Sequence, residues 1–310
     1  AETGEPLLID DVYDIVSKVN YSFNPEFDRK TSYRTKSMLI VPLITQSRTI
    51  EGVLQLINAK DCEGNLISFS GADRLYIIQF AHNAAAAIEK AKLNREMVLR
   101  MVELSELRDP YETGPHAERV GSITVEIYRK WAERRGLPSA KIEETRQILM
   151  PAAMLHDIGK VAISDVILKK NSPLTHEERA DMQMHTVYGA RMFRRLESPW
   201  DRMAREVVLN HHERWDGSGY PGKINDLFAN PVACGQGKKA EEIPFYARIV
   251  TVADVFDALR SKRGYKKAWE TEDVLRYFKK NAGTQFDPEL VDILFEIEPV
   301  VMSIMSKFES

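Results

Sequence analysis

The chain has 310 residues, 44% of them hydrophobic, with 43 basic and 46 acidic side chains and a formal charge of −3. That length allows two domains of ordinary size with a sizeable core. The near-balanced charge argues against a surface that wraps polymeric nucleic acid, though one basic pocket for a small phosphate ligand stays open. Only Cys62 and Cys234 occur, so a disulfide framework is not expected and a reducing, cytoplasmic setting is. No apolar run approaches the roughly 20 residues that would span a bilayer.

The N-terminal third reads as strands and turns. Ser37–Ile44 (SMLIVPLI) and Gly52–Ala59 (GVLQLINA) are β-rich runs separated by the polar TQSRTIE. After a second turn, KDCEGN, a Ser-Gly-Ala-Asp start opens a helix that meets no proline or glycine before about Leu107. Ile77, Ala81, Ala84, Ile88, Ala91, Val98 and Val102 follow a four-three spacing, broken by Arg95, which predicts a dimer seam. A helix packed only on its own domain is the alternative.

From Arg108 onward amphipathic helical patterns dominate. The exception is Lys223–Glu242, rich in Gly, Asn and Lys, which reads as a long surface loop or insert. The expected division is 1–92, a connecting helix over 93–107, and 108–310. Five of the seven histidines, His116, His156, His185, His211 and His212, fall in this last region. Asp157 and Asp254 are embedded in apolar stretches near them in kind. Burying carboxylates costs several kcal/mol each unless something offsets the charge. Imidazoles and carboxylates bind first-row divalent metals, and such ions would supply that offset. His82 and His176 read as bystanders on polar helices.

HDIGK (His156–Lys160) followed by HHERWDGSGYP (His211–Pro221) resembles the signature of the HD-GYP family, a branch of the HD phosphohydrolases. RDPYETGPHAERV, MQMHTVYGA and IPFYARIVTVADVFDALRSKRGYKKA support it. The resemblance implies an all-α helical-bundle domain with two or three divalent ions, most often iron or manganese. The implied ligands are His116, His156, Asp157, His185, His211, His212 and Asp254. Asp157 would bridge two ions; His185, His211 and His212 would hold mainly one, and His156 and Asp254 its neighbour. Glu112, four residues before His116, would add a third, reaching in from a loop because Pro115 favours a first helical turn.

The implied activity is hydrolysis of cyclic di-GMP to pGpG, and on to GMP, by a metal-bridging hydroxide. Lys160 would stabilise charge or protonate the leaving oxygen. Gly219, Tyr220 and Pro221 of the glycine-rich loop, with Arg263 and Lys266, would hold the ligand. Gly264 stands where the family pattern usually has proline. Another cyclic dinucleotide such as cyclic GMP-AMP, a non-catalytic cyclic-dinucleotide-binding module, and an HD-type nucleotidase are the competing readings.

GEPLLIDDV, SYRTKSMLIVPL and GVLQLINAKD resemble the later half of a GAF domain. The overall expectation is therefore multidomain: an incomplete α+β GAF-like sensor, a long helix through which the chain dimerises, and an all-α HD-GYP domain.

Overall fold

The computed structural model describes all residues except 1–3, 16–18, 109–113, 262–266 and 309–310. It divides into two compact units, Ala1–Glu96 and Met97–Ser310.

In the first unit β1 (Leu7–Ile9), β2 (Met38–Ile44) and β3 (Ile50–Ile57) form an antiparallel sheet in the order β1-β2-β3. Both strands anticipated from the β-rich runs are present and pair with each other, from Met38↔Ile57 to Ile44↔Ile50. The period of two along β2 decides which side chain serves which core. Leu39 and Val41 pack with Ala81, Ile77 and Phe69 on one side; Met38 packs with Ile9 and Val12 on the other. Two elements escape any periodic signal: the short helix α1 (Glu26–Thr31), and a two-stranded ribbon of β4 (Ala59–Lys60) and β5 (Leu66–Ile67).

The long helix α2 runs Gly71–Glu106. Ser70 and Asp73 close its start reciprocally: the Asp73 carboxylate accepts from Ser70 N, and Ser70 Oγ accepts from Asp73 N. The stripe anticipated as a dimer seam is divided along its length. Ala81 is buried in the first unit, and Val98 and Val102 belong to the core of the second. Ala91 is exposed. The chain's own cores thus take up the two ends of the stripe and leave its middle uncovered at Ala91.

Among the described residues the regular elements of the second unit are helices. Its helices are α3 (Gly114–Arg134), α4 (Ser139–Met154), α5 (Asp165–Leu168), α6 (His176–Gln183), α7 (His185–Met192), α8 (Pro199–Asn210), α9 (Phe245–Arg260), α10 (Thr271–Asn281), α11 (Pro288–Glu296) and α12 (Glu298–Lys307). A 3₁₀ turn, Ile158–Ala162, follows α4. Local chemistry sets the starts. Thr175 with Glu178, and Ser198 with Asp201, form capping boxes, and Pro199 occupies the first turn of α8. α3 packs against α4, α9, α11 and α12, and α8 lies against α4, α7 and α9. Ile123, Ile127, Leu149, Val207, Ile249 and Phe256, all fully buried, form the centre of that bundle.

Lys223–Glu242 has no regular structure except a 3₁₀ turn at Ala240–Glu242, as its composition suggested. It is nonetheless tied down. Gly235 N donates to Lys223 O (2.9 Å) and Lys223 N to Gln236 O (3.0 Å), and the Arg191 guanidinium on α7 donates to Leu227 O (2.7 Å) and Ala229 O (2.5 Å). Cys62 and Cys234 are exposed free thiols. Among the described residues no helix is long and apolar enough to cross a membrane.

Candidate metal centre

His156 and Asp157 sit where α4 ends and the 3₁₀ turn begins. A glycine at 159 is what lets this turn reach α7. A Cβ there would lie 1.8 Å from His185 O and 2.5 Å from Gly189 N, closer than any side chain could tolerate. The close approach carries Asp157 to the first residue of α7: Asp157 Oδ1 is 3.0 Å from His185 Nε2 and 3.4 Å from His211 Nε2. His211 and His212 follow the end of α8, and Thr251 Oγ1 on α9 holds His211 O at 2.7 Å.

The ligand-type atoms fall into two groups. Asp157, His185, His211 and His212 converge in one, and His116, His156 and Asp157 in the other, each within 4.8 Å. Asp254 flanks the second group, its Oδ1 3.6 Å from His116 Nε2 and 3.8 Å from His156 Nε2. Asp157 is common to both, as a bridging carboxylate would be.

Hydrogen bonds on the far side of each ring fix the protons. Nδ1 of His156, His185 and His211 faces the carbonyl oxygen three residues earlier, Ala153 O (2.8 Å), Met182 O (2.8 Å) and Val208 O (3.0 Å). A carbonyl only accepts, so each Nδ1 carries the hydrogen, and in the neutral ring Nε2 presents a lone pair to the cluster. His116 is held by a carboxylate instead: its Nδ1 donates to Asp257 Oδ2 at 2.7 Å, and Arg119 binds both Asp257 oxygens from behind. Asp157 Oδ1, His185 Nε2 and His211 Nε2 are buried and make no hydrogen bond. Native interiors rarely leave such atoms without a partner. A set of lone pairs aimed at one another, drawn from neutral imidazoles and carboxylates, fits a divalent metal ion.

The electrostatics agree. Burial, reinforced by His211 and His185, pushes the His212 imidazole well below 6.5, and burial likewise lowers His116 and His211. These rings stay neutral near pH 7, as ligands must. Burial works to raise the Asp157 carboxyl, but the Lys160 ammonium and the His156 ring outweigh it, and the group is held well below 3.8. Asp257, against its own burial, is brought to about 2 by its bonds from His116 and Arg119.

Lys160 Nζ lies 3.0 Å from Asp157 Oδ2, so it faces the cluster as anticipated. Tyr220 N donates to His212 O (3.2 Å), and the Tyr220 ring lies over His212, centroids 4.7 Å apart. Gly219 and Pro221 flank it; a Cβ at Gly219 would meet Arg214 N at 2.3 Å. Glu112, Arg263 and Lys266 lie outside the described residues. His82 and His176 are exposed.

Three participants were not singled out from sequence. Asp257 and Arg119 each sit three residues beyond a named ligand, Asp254 and His116, on the same helix, and that spacing was the available signal. Glu213, only 1% exposed, accepts from Gly222 N (2.7 Å) and Lys238 N (3.0 Å), strapping the Tyr220 loop to the insert.

Residues 113–259 match the family model for the HD domain, and residues 234–290 match a second HD-domain model. The helical unit thus carries an HD domain. The chain is 39% identical over 201 residues to a cyclic di-GMP phosphodiesterase of Thermotoga maritima, an alignment covering 65% of this chain and 48% of that protein. It is 33% identical over 234 residues to a 3′3′-cGAMP-specific phosphodiesterase of Vibrio cholerae, covering 73% and 40%. A crystal structure of a cyclic GMP-AMP phosphodiesterase of V. cholerae superposes with a TM-score of 0.43 at 20% identity, over 69% of this chain and 51% of that one. The chain spans about half the length of the curated relatives it matches.

Proposed function

We propose that the helical unit is a metal-dependent phosphodiesterase of the HD-GYP type that hydrolyses cyclic di-GMP to pGpG and on to GMP. The observation that carries this reading is Asp157 shared between two ligand groups, beside a cationic Lys160. Two ions, iron or manganese, would be held by Asp157 with His185, His211 and His212, and by Asp157 with His116, His156 and Asp254; Glu112 would supply a ligand to a third. Such ions neutralise a phosphodiester's charge and make water acidic enough to attack near neutral pH.

The protein's own groups do the rest. Lys160, already paired to Asp157, holds a proton within the cluster that the leaving oxygen can take. Burial raises the Tyr220 phenol, so it stays protonated and donates to a phosphate or guanine edge, while its ring offers a stacking face. Gly219 and Pro221 shape that loop, and Arg263 and Lys266 clamp phosphate or guanine. The first unit is read as an incomplete GAF-type sensor, and a cytoplasmic setting fits this signalling chemistry. Dimerisation through the long helix remains part of the reading.

The test is turnover of cyclic di-GMP and of cyclic GMP-AMP by metal-loaded protein, with products resolved by chromatography. Faster hydrolysis of cyclic di-GMP supports the proposal. Faster hydrolysis of cyclic GMP-AMP moves the substrate to the second nucleotide, as the V. cholerae relative's name allows. Micromolar binding with no hydrolysis of either makes the unit a binding module.

A further inference from the structure

Arg108 stands just past the end of α2 and takes no part in the ligand set. Its backbone N–H still donates to Ser105 O (3.2 Å), so it moves with the last helical turn. Its guanidinium reaches the segment that leaves the metal turn, donating to Val161 O, to Ile163 O (2.9 Å) and to Asp165 Oδ1 (2.7 Å). The same end of α2 touches the cluster from the other side. Val102 and Ser105 wall a cavity of about 20 Å³, room for about one water, together with His116, His156 and Asp157.

The turn between these two contacts is short. Lys160 N bonds Asp157 O (2.9 Å) and Ile163 N bonds Lys160 O (3.0 Å). Asp157 caps this 3₁₀ element and Lys160 lies within it; its hydrogen-bond geometry is poorer than an α-helix's, and α7 holds it on one side at Gly159.

We propose that Arg108 is a positioning residue: its planar fork latches the end of α2 to the Val161–Asp165 segment and so fixes where Asp157 and Lys160 stand. A guanidinium can serve two carbonyls and a carboxylate at once, and an ammonium cannot reproduce that geometry. The Asp165 and Val161 contacts are exposed and contribute least, so the half-buried bond to Ile163 O carries most of the latch. The consequence at Asp157 rests on the metal-site reading above; the latch itself does not.

The experiment uses the full chain and its Arg108→Ala, Arg108→Lys and Asp165→Asn variants. Amide hydrogen exchange over residues 158–165 is measured beside metal equivalents kept after dialysis against a weak chelator. Removing charge-assisted bonds is worth about ten- to a hundred-fold in a local equilibrium. In Arg108→Ala the Lys160 and Ile163 amides should exchange faster by that factor while α10 is unchanged. Metal retention should fall roughly tenfold, and kcat for cyclic di-GMP should drop with little change in KM. Arg108→Lys should lie between, and Asp165→Asn should stay close to the parent.

Unchanged exchange over 158–165 in Arg108→Ala overturns the latch. Faster exchange with parental metal retention overturns its consequence at Asp157. A parent that binds no metal refutes the metal-site reading while the exchange data still judge the latch. Should Arg108→Ala fail to fold, parental exchange in Arg108→Lys overturns the proposal and graded exchange supports it.

Discussion

The two halves of the cluster are built from the same residue types, and both contain rings steadied by main-chain carbonyls, His156 by Ala153 O among them; they differ at His116. In the half formed by Asp157, His185, His211 and His212, the rings of His185 and His211 are oriented by main-chain carbonyls. In the other half, His116 is oriented by the buried side chain of Asp257, itself held by Arg119. A carbonyl comes with the helix and survives any substitution that keeps it. A carboxylate is a stronger, charged acceptor that makes its histidine a better ligand, but a single codon change can remove it. The first half is robust by construction, and the second can be tuned.

The largest effect should come from the one residue the halves share. Asp157→Asn should abolish coordinated metal in both and lower turnover by roughly a thousand-fold or more, measured by steady-state kinetics beside elemental analysis. Parental turnover in that variant would mean that the two groups do not act together.

Asp257→Asn should separate the halves. Loss of an outer partner typically costs ten- to a hundred-fold in metal affinity. A titration with Mn²⁺ should therefore show one class of site weakened by that factor and the other unchanged. Equal weakening of both would show that the bundle, and not the local partner, holds His116.

The smallest effect is in the metal-free protein. His116, His211 and His212 have native pKa values lowered from 6.5 by burial, so below about pH 6.5 the unfolded chain binds protons that the native one does not. Stability should be fully present above that pH and decline as it falls, each histidine adding at most about 1.4 kcal/mol per pH unit until its native pKa is passed. Asp257 adds its own loss only lower, as pH drops through 3.8 toward about 2. Urea unfolding of chelator-treated protein at pH 7.5, 6.5 and 5.5 measures the slope. His116→Asn should remove one share and leave that of His211 and His212. A flat profile would mean that the buried rings accept protons without cost.

Much of this was legible in the sequence, for a physical reason. His156 and Asp157 are polar residues inside an apolar run, and such a violation has to be compensated; the rest of the ligand set, His211 and His212 included, rests on the resemblance of the two motifs to a known family. The β2–β3 pair and the helical bundle follow from periods of two and 3.6. What was not legible is contact between segments distant in the chain. Asp257 to His116 spans 141 positions and Arg108 to Ile163 spans 55, and neither pairing leaves a periodic trace. The stripe on α2 shows where periodicity stops. Periodicity tells that Val98 and Val102 are buried, but not whether the burying surface belongs to the same chain.

The strap at Glu213 bears on how such a protein changes over generations. Its carboxylate grips Gly222 and Lys238, the two ends of the excursion between them, and Lys223 closes on Gly235 just inside. Closing a flexible loop costs only about 0.6 kcal/mol more for each doubling of its length. With both ends gripped at the base, residues 224–234 can lengthen, shorten or drift while Tyr220 keeps its place over His212. Apart from the hold of Arg191 on Leu227 and Ala229, the stretch is a region where lineages can vary the chain without rebuilding the loop that carries Tyr220.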